Sequence, residues 1–454
     1  MIEPIVIVHG WSDESRTFRG LAKLLEKEFD SRPSLINLAD WISMDDDVTF
    51  ADLAEAMQRA WVAANLPTKP RSANIITHST GALVVRDWMT RYYQPSSVPI
   101  KRFLMLAPPN FGSQLAHKGH SFIGRAIKGW KNHGFETGEQ ILKGLELASP
   151  FTWALAERDL FSNENWYGQG AVLATVLIGN EGYDGVRAIA NEKGSDGTVR
   201  ISTANLNCSR LNLHLDENQT LVKNLEIERS NTKVAFGIVN SLNHSSIVPN
   251  ATAKSHAEET LHQCVLEALK VGDGDYLGQS EKFNWQERLV EMTRDGFANA
   301  SLFKNVVTRV SDNLGNVVTD YFVEFYRTSG EDGKFERFLY ETFLYSVHSY
   351  KDNGSYRALY LDVGSLQSLR PGEAINLKQL FVSIDAHPQY LDKRSKTQPV
   401  GYRSLSPTSE GGICIPSGRM DEFFRPHETM LVNVVLTRTL SAGVVTFRHA
   451  KMQQ

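Results

Sequence analysis

Two rhythms of apolar residues divide this chain. Up to about residue 270, short apolar runs alternate with stretches of helical spacing. Ile5-Val6-Ile7-Val8 is a continuous β-branched run, the mark of a strand buried on both faces of a parallel sheet. Arg16 to Phe29 sets Phe18, Leu21, Leu24 and Leu25 on one helical face. Ser34 to Leu38 reads as a short strand, and Phe50 to Asn65 as a second helix closed by Pro67. A strand ending near His78, a helix from Gly81 to Tyr93 and a strand from Arg102 to Ala107 follow. Apolar runs at Ala171 to Gly179 and Val234 to Val239 supply further strands, and Ala253 to Lys270 a last helix. This alternation predicts an α/β domain over residues 1–270, with a mostly parallel sheet of about six strands and helices on both faces.

Residues 110–169 break the rhythm. They are rich in large apolar side chains, among them Phe111, Phe122, Trp130, Ile141, Leu142, Leu145, Trp153, Leu155, Leu160 and Trp166. In position they form a cap insertion, which would build an acyl-chain groove; packing onto the main core explains part of the same pattern. Arg125, Lys128, Lys131 and Lys143 sit among them and suit either anionic headgroups or a solvated helix face.

The Gly- and Asp-rich stretch 271–283 reads as a linker. Residues 284–454 then form a second domain, opened by a helix at Trp285 to Met292. Strands are expected at Phe303 to Val310 and Val317 to Tyr326, joined through a hairpin-like turn at Ser311 to Asn316. More are expected at Phe338 to Val347, Ala358 to Val363, Leu380 to Ile384, Thr429 to Leu440 and Val444 to Arg448. The expected architecture is an all-β, sandwich-like domain. Asp312, Asn313 and Asp320 fit no calcium-loop spacing, so turn chemistry accounts for them and no metal is assigned.

Composition narrows the function classes. The chain has 454 residues, of which 41% are hydrophobic and 22% charged, with a net charge of -4. That is a globular balance, and nothing in it favours a nucleic-acid partner. The 3 cysteines are far apart and odd in number, which suits buried free thiols rather than a disulfide framework. No basic n-region and apolar h-region precede the first strand, and no long apolar span occurs. The chain is therefore expected to be cytoplasmic as synthesised, an expectation that leaves room for signal-independent export.

Chemistry concentrates at residues 73–85. A short apolar strand, a tight turn carrying Ser79 and a following helix have the layout of a nucleophile elbow. Gly81 occupies the second glycine place of G-x-S-x-G, and Thr77 occupies the first. Upstream, the first strand ends in His9-Gly10-Trp11. The strand-then-His-Gly layout positions one oxyanion amide, so the backbone N–H groups of Trp11 and Thr80 are the candidate donors. A serine nucleophile needs a base, and the base needs an acid to fix its tautomer. Asp196, between small residues on a loop past a buried strand, best fits the acid, with Asp184, Glu181, Glu192 and Asp216 as competitors. His244, just past the strand at Val234 to Val239, best fits the base. His214 lies in a polar insertion with no strand immediately before it, while His256 and His262 look like ordinary helix residues. His78 is too close to its strand to be the base and is expected to pack beside Ser79 and shape the elbow.

Val8-His9-Gly10-Trp11, Thr77-His78-Ser79-Thr80-Gly81, Ala107-Pro108-Pro109-Asn110-Phe111-Gly112-Ser113, Ser195-Asp196-Gly197-Thr198 and Asn243-His244-Ser245 together resemble the α/β-hydrolase superfamily. They look most like its lipases and GPI-inositol-deacylase-like serine esterases. The resemblance covers roughly the first 270 residues and leaves the second domain unmatched. It implies an ester hydrolase, lipase or phospholipase, acting through an acyl-enzyme with Ser79, Asp196 and His244 as the triad and no cofactor. The chain opens at the His-Gly strand, so the two outermost N-terminal strands of larger hydrolases are expected to be missing. Expected partners are a lipid or other ester substrate, a membrane surface touched peripherally, and a protein partner for the β domain. A soluble short-chain carboxylesterase or thioesterase is the alternative within the same chemistry. A silent hydrolase-fold binding protein is the alternative from another class.

Overall fold

The computed structural model describes residues 2–9, 18–43, 45–116, 138–185, 188, 191–215, 225–231, 233–276, 284–326, 339–367, 379–388, 400–402 and 413–440. The chain divides into two compact units: Met1–Ser209, Arg229–Asn305 and Pro426–Thr429 form the first, and Arg210–Glu228, Val306–Arg425 and Met430–Gln454 the second.

The first unit has the α/β-hydrolase fold. Its strands are β1 (Ile5–His9), β2 (Ser34–Asn37), β3 (Ala73–His78), β4 (Ile100–Leu106), β5 (Leu173–Gly179) and β8 (Ala235–Val239). They lie in the order β2-β1-β3-β4-β5-β8, every neighbour parallel. All residues of β3, β5 and β8 are buried, which is why these segments read as unbroken apolar runs. The connecting helices include α1 (Arg19–Phe29), α2 (Phe50–Ala63) and α3 (Gly81–Tyr92). From β1 the chain steps one way to β2 and then returns past β1 to β3. The strand order therefore reverses between the carboxyl ends of β1 and β3, where doubly wound sheets open a crevice for ligands.

Within the expected cap, α4 (Glu139–Leu145) and α5 (Pro150–Asp159) are core elements. Ile141, Leu142, Leu145, Leu147, Trp153, Leu155, Leu160, Phe161 and Trp166 are all buried. Phe151 stacks on Phe50 of α2 at 4.1 Å between ring centroids. Packing onto the main core thus accounts for residues 138–169. The basic cluster at 125–131 and the apolar residues from Phe122 to Phe135 lie outside the described residues.

The sequence-based boundary at 271–283 and the observed units divide the chain differently. Asp273–Tyr276 forms a short helix with Tyr276 buried, while 277–283 lie outside the described residues. The helix Trp285–Met292 belongs to the first unit, where Trp285 Nε1 donates to Thr175 of β5 at 2.9 Å.

The second unit holds two main sheets. One contains β11 (Leu344–Ser349), β12 (Tyr356–Asp362), β9 (Phe303–Asp312), β16 (Thr429–Leu436), β6 (Ser209–Leu215) and β7 (Ile227–Arg229), in that order. The other orders β10 (Tyr321–Tyr326), β13 (Gln379–Ala386) and β15 (Ile413–Pro416). Leu213 from the first, with Ile384 and Ile415 from the second, lines an apolar cavity of about 70 Å³.

Four expectations change here. The insertion after residue 208 is a strand: Leu211 and Leu213 point inward and alternate with exposed Asn212 and His214. The hairpin at 311–316 does not continue as a paired ribbon. Beyond a single bridge at Ser311 and Val317, the chain crosses to the other sheet as β10. Arg357 holds that crossing, donating to the carbonyl oxygens of Thr319 and Tyr321 with its guanidinium over the Tyr321 ring. Leu339–Phe343 is a π-helical turn, and the strand begins only at Leu344. The last expected strand breaks at Thr437, leaving β16 and a short β17 (Arg438–Leu440) that pairs with β14 (Val400–Tyr402). The expected strand from Val444 lies outside the described residues. Asp312 Oδ1 accepts from the amides of Leu314 and Asn316, the turn chemistry read from its sequence. Among the described residues no helix is long and apolar enough to cross a membrane.

Candidate active site

The end of β3 delivers a strained turn. Ser79 has φ of +52°, in the left-handed region, at a cost of order 1–3 kcal/mol for a non-glycine residue. The turn is held by Ser79 N–H donating to Leu106 O at 2.9 Å and by Ala82 N–H donating to Ser79 O at 3.2 Å. Thr80 then leads into α3, whose first residue is the buried Gly81. Thr77 sits in the extended strand, paired with Val8 on one side and Met105 on the other. A β-branched residue suits that backbone. Its hydroxyl is buried without a hydrogen-bond partner.

Asp196 and His244 reach the same point from two further loops. Asp196 is fully buried, and its Oδ1 accepts from Thr198 N–H at 2.9 Å and Val199 N–H at 2.7 Å. Gly197 shapes this tight loop: its φ is +92°, and a Cβ there would meet the Tyr183 ring at 2.8 Å. His244 follows β8 in a turn built by Asn243, whose Oδ1 accepts from Ser245 and Ser246 N–H. That turn crosses the tip of β5 so closely that a Cβ on Gly179 would lie 1.9 Å from Leu242 O.

The three loops bring the sequence-predicted Ser79, His244 and Asp196 into one hydrogen-bonded line. His244 Nδ1 is 2.9 Å from Asp196 Oδ2, and His244 Nε2 is 3.1 Å from Ser79 Oγ. A carboxylate on Nδ1 places the imidazole proton there and leaves the Nε2 lone pair facing the serine hydroxyl. Asp196 and His244 are buried, whereas Ser79 is partly open. The line can accept a proton from the hydroxyl and hold the resulting imidazolium against Asp196.

The competing residues stand elsewhere. Glu192 forms a two-point ion pair with Arg200, at 2.8 and 2.9 Å. Glu181 and Asp184 are exposed, as are His214 and His256, and Asp216 lies outside the described residues. His262 is on the helix His256–Lys270. Thr80 N–H is at the start of α3, among the amides that a helix leaves without internal acceptors. The other expected oxyanion donor, Trp11, and the elbow residue Gly10 lie outside the described residues. Among the described residues no cluster of His, Cys, Asp and Glu could hold a metal ion.

A second, fully buried network braces the site. Arg86 of α3 grips Asp159 of α5 with Nε and Nη2, at 2.8 and 2.9 Å. The Tyr167 hydroxyl donates to Asp159 at 2.7 Å. Arg86 Nη1 donates to Asn110 Oδ1 at 3.1 Å, and Asn110 Nδ2 donates to Ala204 O at 2.7 Å. Burial opposes the Arg86 charge, yet the adjacent Asp159 carboxylate raises its pKa above the ordinary arginine value. The network ties the helix after Ser79 to the segment after β4 and to the helix that follows Asp196 (Ile201–Ala204). Sequence reasoning did not find it, because an Arg–Asp pair 73 residues apart leaves no local signal.

No protein-family model and no curated protein matches this sequence. Solved structures do. Phospholipase PlaB from Legionella pneumophila is 24% identical, with a TM-score of 0.81 over 99% of this chain and 97% of that one. The same phospholipase in complex with thio-NAD is 25% identical, with a TM-score of 0.80 and the same coverage. The fold is thus shared along the whole chain, β sheets of the second unit included.

Proposed function

We propose that this chain is a serine hydrolase of carboxylic esters whose substrates are lipids, with phospholipid the first choice over triacylglycerol. The observation that carries the reading is the unbroken line from Ser79 Oγ through His244 to Asp196, at a left-handed serine turn on the carboxyl end of a parallel sheet. The full-length likeness in fold to a phospholipase supports the substrate class.

In this reading Ser79 Oγ attacks the ester carbonyl while its proton passes to His244 Nε2. The carbonyl oxygen gathers negative charge, which Thr80 N–H at the positive end of α3 stabilises, with Trp11 N–H as the second donor. The carbon–oxygen bond to the leaving alcohol breaks as His244 returns the proton to it, leaving an acyl group on Ser79. Water, deprotonated by the same imidazole, then releases the fatty acid and restores the hydroxyl. Asp196 holds the Nδ1–H tautomer and stabilises the imidazolium without taking its proton.

A substrate series tests the assignment. Fatty-acid release is measured from phosphatidylcholine vesicles, from emulsified triacylglycerol, and from soluble esters of acyl length two to sixteen. Faster release from vesicles than from emulsion, with rates rising along the ester series, supports a phospholipase. A sharp preference for the shortest soluble esters moves the chain to the carboxylesterases.

A further inference from the structure

We infer that His78, the residue before the nucleophile, is a positioning residue that fixes the main chain of His244. The inference rests on the hydrolase reading above and deepens it. His78 is the last residue of β3 and is buried. Its Nε2 lies 2.9 Å from the carbonyl oxygen of His244. A carbonyl only accepts, so the imidazole donates from Nε2. The two imidazoles pack at 4.8 Å between centroids, and the edge of Phe18 closes on His78 at 6.1 Å.

The consequence concerns the backbone of the base. His244 N–H donates to Asp196 O at 2.9 Å, so both peptide groups flanking its Cα are pinned. One pin comes from the residue that supplies the carboxylate. The other comes from the residue covalently joined to the nucleophile. The separation of Ser79 and His244 is therefore set through a single peptide link and one hydrogen bond, rather than by the side chains alone. Without the second pin, the carbonyl side of His244 loses its tie to β3, and a displacement of about 1 Å at a reacting pair costs roughly 100-fold in rate. His78 touches no reacting atom in this role, and it moves no proton.

Two substitutions separate positioning from packing. In H78Q the amide Nε2 reaches the place of the imidazole Nε2 and keeps the donor. In H78N the amide is one carbon too short to reach. The full-length chain and both variants are compared for melting temperature, for kcat and KM on a soluble ester, and for the rate of fluorophosphonate labelling at Ser79. The expected result is that H78N loses about 10- to 100-fold in kcat and labelling rate, with KM within about twofold and melting close to the parent. H78Q recovers most of the loss. Equal activity in the parent, H78Q and H78N overturns the inference while leaving the hydrolase reading intact. So does an equal loss in both variants, since that reports shape and not the donor. Failure of the folded parent to label at all overturns the hydrolase reading, and this inference with it.

Discussion

The parallel sheet of the first unit and the paired sheets of the second are both made of short strands, but they use sequence differently. The inner parallel strands are buried on both faces and carry their instruction locally, as in Ile5 to Val8 or Leu173–Gly179, while the edge strand Ser34–Asn37 buries only Ile36. Strands of the second unit are less uniform: Leu344–Ser349 alternates while Tyr356–Asp362 is buried over four consecutive residues, and the partner of each is chosen by where the chain turns. The Phe303–Asp312 and Tyr321–Tyr326 strands are sequence neighbours, yet they end in different sheets. The first unit spends its irregular backbone at the tips of its strands, where Ser79, Asp196 and His244 meet. The second gathers apolar side chains around a cavity, with strands drawn from stretches more than 200 residues apart. The Ser79–His244–Asp196 line thus rests on loops of a locally specified sheet, and the sandwich is specified by long-range packing.

The largest effect that sharpens this contrast is expected at Asp196. D196N keeps the shape but offers Nδ1 the wrong partner, favouring the unproductive tautomer. A fall of roughly 10³- to 10⁴-fold in kcat is expected with melting nearly unchanged, as ester kinetics and calorimetry will show. The opposite signature is expected in the second unit. L213A removes a buried side chain from the cavity wall and should lower unfolding free energy by about 2–5 kcal/mol in urea titrations. Its Ser79 labelling rate at low temperature should match the parent. Loss of labelling in folded L213A would break the division of labour drawn here.

Much of the first unit was legible because both-face burial leaves a continuous signal, and because the elbow, the Asp196 loop and the His244 loop each follow such a run. Thr77 in place of glycine left the motif irregular, and only the strand register explains why it is accommodated. Gly179 was not read as part of the site; its requirement appears only when the Leu242 carbonyl passes over it. The Ser209–Leu215 strand carried a readable alternation of Leu211, Leu213 and Leu215 with polar residues, obscured by its position inside the hydrolase segment. The sheet switch after Val317 had no sequence signal, since Arg357 supplies the contacts that turn the chain.

A smaller effect comes from His427, which burial holds down to about 4. The unfolded chain takes up a proton near the ordinary value of about 6.5, which the folded chain refuses. Stability is therefore full above pH 6.5 and falls as the pH drops toward 4. Between pH 7 and 5 the loss should be about 2 kcal/mol by urea midpoint, and H427F should flatten that slope. The smallest effect is expected at Thr77. T77V removes a buried hydroxyl without a partner and should leave stability unchanged or raise it by up to about 1 kcal/mol. A marked destabilisation would show that the hydroxyl has a use in the elbow.

The most direct test of the Ser79–His244–Asp196 line is to treat the folded full-length chain with a fluorophosphonate and locate the adduct by peptide mass spectrometry. A single adduct on Ser79, absent in S79A and strongly slowed in D196N, is the outcome expected from the geometry. An unreacted Ser79 in chain shown to be folded, or an adduct on a different residue, would contradict it.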